Sequence, residues 1–260
     1  MTRYLSHSSP YGPGRWWLDL PLTGSPTGGS YPAAAHNTLL VLAHGAGRGP
    51  DSPDLARLAA ELPAHGIGVA RHEQPWVLAG RRVAAPPSHL DACLRAGLSA
   101  LRRCRAARPA LPRGSRQPWP VVLGGRSAGA RSVCRVAAAV EQPPGWALVG
   151  VVLLAFPLHP PGSSSTAAAR LDELRTGAAA APTLVLQGER DTFGSAADVR
   201  GGLGSVGGHV VELAGFGHCL AHARTPAAVD PFTTTVLAWL RELHHVIDDD
   251  AVSTDSVNPE

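Results

Sequence analysis

An α/β architecture, with a mostly parallel central sheet, helices on both faces and no large cap domain, is predicted from three features of the chain. From about residue 38 onward, short continuous apolar runs alternate with segments of helical period. Those runs are continuously apolar rather than alternating, as in strands covered on both faces. Of the 260 residues, 44% are apolar and 17% charged, a balance that can bury a core and argues against wholesale disorder. The length suits one large domain, expected over 37–245, after a Pro/Gly/Ser-rich segment at 1–36 and before a disordered acidic tail at 246–260.

In chain order, Arg15-Trp16-Trp17-Leu18-Asp19-Leu20 breaks the N-terminal segment and reads as an edge strand. Further strands are predicted at Thr38–Ala43, Gly66–Arg71, Pro120–Leu123, Leu148–Ala155, Thr183–Gln187 and His209–Leu213. Ser52–Leu62 opens as a helix should, with Ser at the cap and Pro in the first turn. Ser88–Arg105 places Leu90, Leu94, Leu98 and Leu101 on one stripe. Helices are also predicted at Ala128–Val140, Thr166–Leu174, Ala196–Leu203 and Thr225–His245. The connection between strands 148–155 and 183–187 is too short for a large cap.

Charge excludes some partners. The net charge is +3, all 23 basic residues are Arg, and the acidic tail offsets a modestly positive body. The densest basic run (Arg102, Arg103, Arg105, then Arg108) lacks interleaved aromatics and reads as a solvated helix face, not a nucleic-acid surface. No apolar stretch reaches membrane-spanning length, and no secretory signal opens the chain. Cys93, Cys104, Cys134 and Cys219 show no CxxC spacing, so reduced thiols in a cytoplasmic protein are expected. No nucleic-acid or membrane partner is expected, and a homodimer is left open.

In an open α/β sheet, chemistry sits beyond the carboxyl ends of the strands, and four polar segments fall there. LAHGAGRG follows the 38–43 strand; its small residues let backbone N–H groups approach a developing negative charge, and no G-K-[ST] makes it a phosphate loop. Gly125-Arg126-Ser127-Ala128-Gly129 follows a strand and precedes a helix, as a nucleophile elbow requires, although the pentapeptide alone is weak evidence. LVLQGERDTFG puts Asp191 just past a strand, where a carboxylate can orient an imidazole or cap the next helix. AGFGHCL puts His218 after the last strand. The order Ser127, Asp191, His218 is that of a Ser-Asp-His catalytic set. His218 and His222 are four apart, but Cys219 stands where a zinc hydrolase would need Glu and no third ligand is evident, so no metal and no cofactor are expected.

On LAHGAG, GGRSAGAR, FPLHPPG (156–162), QGERDTFG and GHCL the chain resembles the α/β-hydrolase superfamily, in its small dienelactone-hydrolase-like branch. More closely, it is similar to the α/β-hydrolase-like domain of the testis-expressed and NSL-complex subunit family and its uncharacterised bacterial relatives. The resemblance runs from about Leu40 to Leu240. It implies an α/β-hydrolase fold and a serine hydrolase cleaving a small ester, thioester or lactone through an acyl-enzyme. Ser127 would be the nucleophile, His218 the base and Asp191 its orienter, with Ala128 and Ala46 backbone N–H groups as the oxyanion hole. Candidate substrate contacts are His44, Gly45, Arg126, His159, Trp76 and Arg81. Of these His159 reads as pocket wall, and the Arg126, Arg81 and Arg82 side chains either hold a substrate anion or anchor a loop carboxylate such as Glu73. Arg71-His72-Glu73-Gln74-Pro75-Trp76 departs from the aromatic-rich segment of similar proteins and is expected to line the pocket. Because some relatives are chromatin-complex subunits, a non-catalytic interaction module is the alternative.

Overall fold

The computed structural model describes residues 2–21, 38–104, 118–139, 146–163, 167–221 and 230–255, with side chains in the last helix described through 243. Among these residues, eight strands form one sheet in the order β1-β2-β4-β3-β5-β6-β7-β8. The strands are β1 (Arg3–Ser9), β2 (Gly12–Asp19), β3 (Leu39–Ala43), β4 (Gly68–Glu73), β5 (Trp119–Arg126), β6 (Trp146–Leu154), β7 (Thr183–Gly188) and β8 (His209–Leu213). β1 and β2 are antiparallel additions; β4, β3, β5, β6, β7 and β8 run parallel. The helices are α1 (Pro53–Glu61), α2 (Pro75–Leu78), α3 (Pro87–Arg103), α4 (Ala128–Ala139), α5 (Ala168–Ala180), α6 (Ala196–Leu203) and α7 (Pro231–Asp255).

Period two along each parallel strand divides the core. Leu39, Val41, Val121, Leu123, Val151, Leu153 and Val185 face α3, α4, α5 and α6. Leu40, Leu42, Val122, Val152, Leu154, Leu184 and Leu186 face α1 and α7. Such two-sided covering is why these strands are continuously apolar in the sequence. The predicted Leu stripe of α3 is buried at Leu90, Leu94, Leu98 and Leu101.

Several expectations need correction. The strand containing Arg15 to Asp19 is not the sheet edge: it pairs with β4, and β1 lies outside it. The strand expected at Gly66–Arg71 is β4, shifted toward the C-terminus. Gly66, at φ 80, instead closes a 3₁₀ turn over Leu62–His65. Ser52 stands at the start of α1 as expected, but its hydroxyl makes no cap bond. α5 runs to Ala180, beyond the expected Leu174. α7 begins at Pro231 and continues to Asp255, into the segment expected as a disordered tail; residues 225–229, assigned from sequence to this helix, and 256–260 lie outside the described residues.

Candidate active site

At the carboxyl end of β5 the chain reverses sharply into α4 through Ser127, whose φ of 53 lies in the left-handed region that non-glycine residues rarely occupy. The strain is held in place from several sides. The Ser127 N–H donates to the carbonyl of Leu154 at 2.9 Å. A Cβ on Gly129 would stand 2.2 Å from the Ala43 carbonyl oxygen, and one on Gly125 would stand 2.5 Å from the Gly129 carbonyl carbon. Only glycine lets strand, turn and helix come this close. The turn lifts the Ser127 side chain out of the sheet, half-exposed.

The Asp191 and His218 loops are sewn together. The Arg190 N–H donates to the Phe216 carbonyl at 2.8 Å and the Glu189 N–H to the Leu213 carbonyl at 3.0 Å. The Gly215 N–H donates to the Glu189 carboxylate at 2.7 Å. A Cβ on Gly188 would lie 2.2 Å from the Gly217 carbonyl oxygen. This contact brings the turn after β7 against the turn after β8.

The three predicted residues form one continuous line. The Ser127 hydroxyl donates to His218 Nε2 at 2.9 Å, and His218 Nδ1–H donates to Asp191 Oδ2 at 2.9 Å. The Asp191 side chain is fully buried and that of His218 is 23% exposed. Asp191 also accepts from Gln187 Nε2 at 3.1 Å and from the Phe193 N–H at 2.9 Å. With these donors its orientation is over-determined, which fixes the imidazole with Nδ1 protonated and Nε2 free to accept. The Phe193 ring lies 4.6 Å from the His218 ring, centroid to centroid. Ser127, His218 and Asp191 thus have the mutual geometry that activation of a hydroxyl would require.

Gly45 is buried and Ala46 exposed at the end of β3. A Cβ on Gly45 would stand 3.3 Å from Ser127 Cβ, so this loop packs directly on the elbow. Ala128 opens α4, and an N–H of a first helical turn has no intrahelical acceptor.

The remaining candidates divide. His44 is buried: Nδ1 donates to the Gly45 carbonyl at 2.8 Å, Nε2 accepts the Gln74 N–H at 3.2 Å, and burial lowers its pKa. It braces the Gly45–Ala46 loop from within. Trp76 is buried against the His44 ring at 5.5 Å. The 71–76 segment therefore does not line an open pocket as expected; His72, Glu73 and Gln74 are buried too, with Gln74 Nε2 donating to the Leu90 carbonyl. Arg81 and Arg82 are exposed. Arg126 anchors a carboxylate, though not Glu73: its Nε donates to Asp54 Oδ2 at 2.6 Å, while Glu73 accepts from Arg15 and Trp17. His159 borders a depression of about 600 Å³ formed with Pro160, Thr192, Phe193 and Asp198 beside the Asp191 turn. Sequence reasoning did not single out Asp54 or the role of Gln187; Gln187 lies in β7 and Asp191 in the turn after it, so no helical spacing marks the pair.

Among the described residues, no group of three or more His, Cys, Asp or Glu could hold a metal ion, and His222 lies outside them. No described helix is long and apolar enough to cross a membrane.

The profile of the family described as "Alpha/beta hydrolase domain" matches residues 36–219, and the chain belongs to that family. No curated protein matches it. Among solved structures, it is similar to an α/β serine hydrolase without a lid from Xanthomonas campestris, at 20% identity over 95% of this chain and 94% of that one, with a TM-score of 0.58. A dienelactone hydrolase from Anabaena variabilis is 17% identical, with 94% and 96% covered and a TM-score of 0.59. Est1E from Butyrivibrio proteoclasticus is 12% identical, with 95% and 99% covered and a TM-score of 0.62. The fold is the α/β-hydrolase fold, with no large cap among the described residues.

Proposed function

We propose that the chain is a serine hydrolase that cleaves small, exposed carboxylic esters, thioesters or lactones through an acyl-enzyme. The observation that carries this reading is the unbroken line from Ser127 Oγ through His218 to buried Asp191, with Ser127 strained at φ 53. A module that only bound partners would gain nothing from a strained serine aimed at an oriented imidazole.

In the first half-reaction His218 Nε2 takes the hydroxyl proton as Ser127 Oγ attacks the substrate carbonyl carbon. Asp191 stabilises the imidazolium so formed. The negative charge that develops on the carbonyl oxygen is met by the N–H groups of Ala128 and Ala46, each worth about 3–4 kcal/mol in the transition state. His218 then hands its proton to the leaving alcohol or thiol, and the bond to it breaks. Water, deprotonated by the same imidazole, attacks the acyl carbon, and the proton returns to Ser127 as the acid departs. The reading calls for no cofactor. Ser at the elbow, where haloalkane chemistry would need Asp, favours acyl transfer.

The depression bordered by His159, Phe193 and Asp198 reaches the three residues only at Asp191, and its lining mixes polar and apolar surface. The similarity to a dienelactone hydrolase and to Est1E keeps lactones and short esters first on the panel.

The test is intact mass after exposure to a fluorophosphonate probe, with Ser127→Ala alongside, followed by a panel of short p-nitrophenyl esters, thioesters and lactones. The expected result is one adduct on the wild type, none on the variant, and turnover of at least one ester class. A folded wild type that takes no adduct would overturn the reading in favour of a non-catalytic interaction module.

A further inference from the structure

Beside Ser127, one guanidinium touches three of the four segments that supply the proposed chemistry: the elbow, the Gly45–Ala46 loop and the His218 turn. Arg126 ends β5 directly before the nucleophile, with a side chain only 12% exposed. Its Nε donates to Asp54 Oδ2 at 2.6 Å, and its Nη2 donates to the main-chain carbonyl of His218 at 3.0 Å. Asp54 is fully buried in the first turn of α1, shortly after the Gly45–Ala46 loop. A Cβ on Gly45 would stand 2.9 Å from Arg126 Nη1. The guanidinium therefore packs under that loop while binding the histidine turn.

We propose that Arg126, locked by Asp54, is a positioning residue that pins the His218 main chain over the elbow rather than a group that binds a substrate anion. The proposal rests on the serine-hydrolase reading above.

The physical case begins with the histidine turn. Between β8 and His218 the chain passes Gly215, at φ 80, and Gly217, so its backbone is intrinsically permissive and its geometry must be imposed by bonds. Arg190 fixes Phe216 from one side. Arg126 fixes His218 itself, with a charge-assisted bond roughly twice as strong as a neutral one. Asp54 gives that bond its direction. A fully buried carboxylate must be paired, and its claim on Nε holds the planar fork in one orientation, with Nη2 presented to the carbonyl. An ammonium is a point charge on a flexible stem and cannot serve both acceptors at a fixed angle. Occupied in this way, Arg126 has its strongest directions already committed within the protein.

The experiment uses the full chain as wild type, Arg126→Lys, Arg126→Gln, and the Asp54→Asn/Arg126→Gln double variant. Hydrolysis of a neutral short p-nitrophenyl ester and of its anionic hemisuccinate analogue is measured, with rates normalised to sites labelled by fluorophosphonate. Both single variants should lose kcat about tenfold or more, since small misplacements of a reacting group are costly, while KM moves less than about threefold. The anionic ester should suffer no more than the neutral one. The double variant should be no worse than Arg126→Gln, because it removes the stranded carboxylate together with its partner. A selective rise in KM for the anionic ester would overturn the proposal and make Arg126 a substrate contact. An unchanged kcat per labelled site would overturn it by making Arg126 a fold brace alone. A wild type that neither labels nor turns over removes the hydrolase reading, and this proposal with it; an active wild type with unaffected variants removes this proposal only.

Discussion

Ser127 holds a left-handed backbone that costs a non-glycine residue about 1–2 kcal/mol, and the cost is met by neighbours that cannot move: the Leu154 carbonyl and the two glycines that let α4 sit on β3 and β5. At Asp191 the logic is electrostatic. Its carboxylate accepts from an imidazole, an amide side chain and a backbone N–H. Asp191→Asn keeps the shape but presents the wrong partner to Nδ1, so the imidazole loses its required tautomer. The expected outcome is a fall of about 10³–10⁴ in kcat with the thermal midpoint nearly unchanged, checked by steady-state kinetics beside a melting curve. Ser127, Asp191 and His218 were legible because each sits in a short motif just past a strand. Asp54 was not, because it meets Arg126 across 72 residues of chain and nothing local marks it. Nor was the depth of Trp76 and His44, which only the packing of α2 against β3's end decides.

At the scale of elements, the parallel strands and the longer helices announce themselves by continuous apolar runs and by stripes such as that of α3. β1 does not: it lies at the sheet edge, mostly exposed, and of Arg3–Ser9 only Tyr4 and Leu5 are not polar. Besides Trp16 and Leu18 in the core, a polar pair ties this hairpin down. His7 Nε2 and His72 Nε2 lie 2.9 Å apart, with stacked rings, under Trp16 and against α3 at Gly97. Desolvation is the chief cause lowering the pKa of both histidines, and of nearby His44, from the ordinary 6.5. With folded pKa values below the unfolded one, the unfolded chain binds more protons once pH drops below about 6.5. Stability is therefore fullest above that value and declines as pH falls through it, until the folded pKa values are reached. For fully buried His72 the slope approaches about 1.4 kcal/mol per pH unit. Urea midpoints between pH 8 and 5 should show this decline, and His72→Gln should flatten it. A wild-type curve that is level across this range would show the pair to be charged or solvated in the native state.

At the scale of the whole molecule, the sheet separates two apolar layers, and the site lies at the carboxyl ends of the strands between them. On the α3–α6 side the helices are bound by charge as well as packing: Arg135 bridges Asp91 of α3 and Glu173 of α5, and Arg131 joins it on Glu173. This lattice and the β5–α4 contact hold the elbow at the centre of the sheet, whereas the His218 turn is held by the Arg126 side chain from β5 and by main-chain and Glu189 bonds to the β7 turn. The connection from β6 to α5, residues 155–167, is short and is drawn inward at Arg170, which donates to the carbonyls of Pro157 and His159. It therefore leaves no length for a cap over Ser127. With no large cap among the described residues, the site has no described segment to displace at a lipid surface. Hydrolysis of a short triglyceride, followed through its solubility limit, is expected to saturate smoothly, with no jump in rate when droplets form. Turnover should also fall as the acyl chain lengthens, because no apolar lid among the described residues buries the extra methylenes at about 0.8 kcal/mol each. A rate jump at the solubility limit, or a preference for long chains, would mean that some segment closes over Ser127 and buries them, and lipids would then replace small soluble esters as the proposed substrate class.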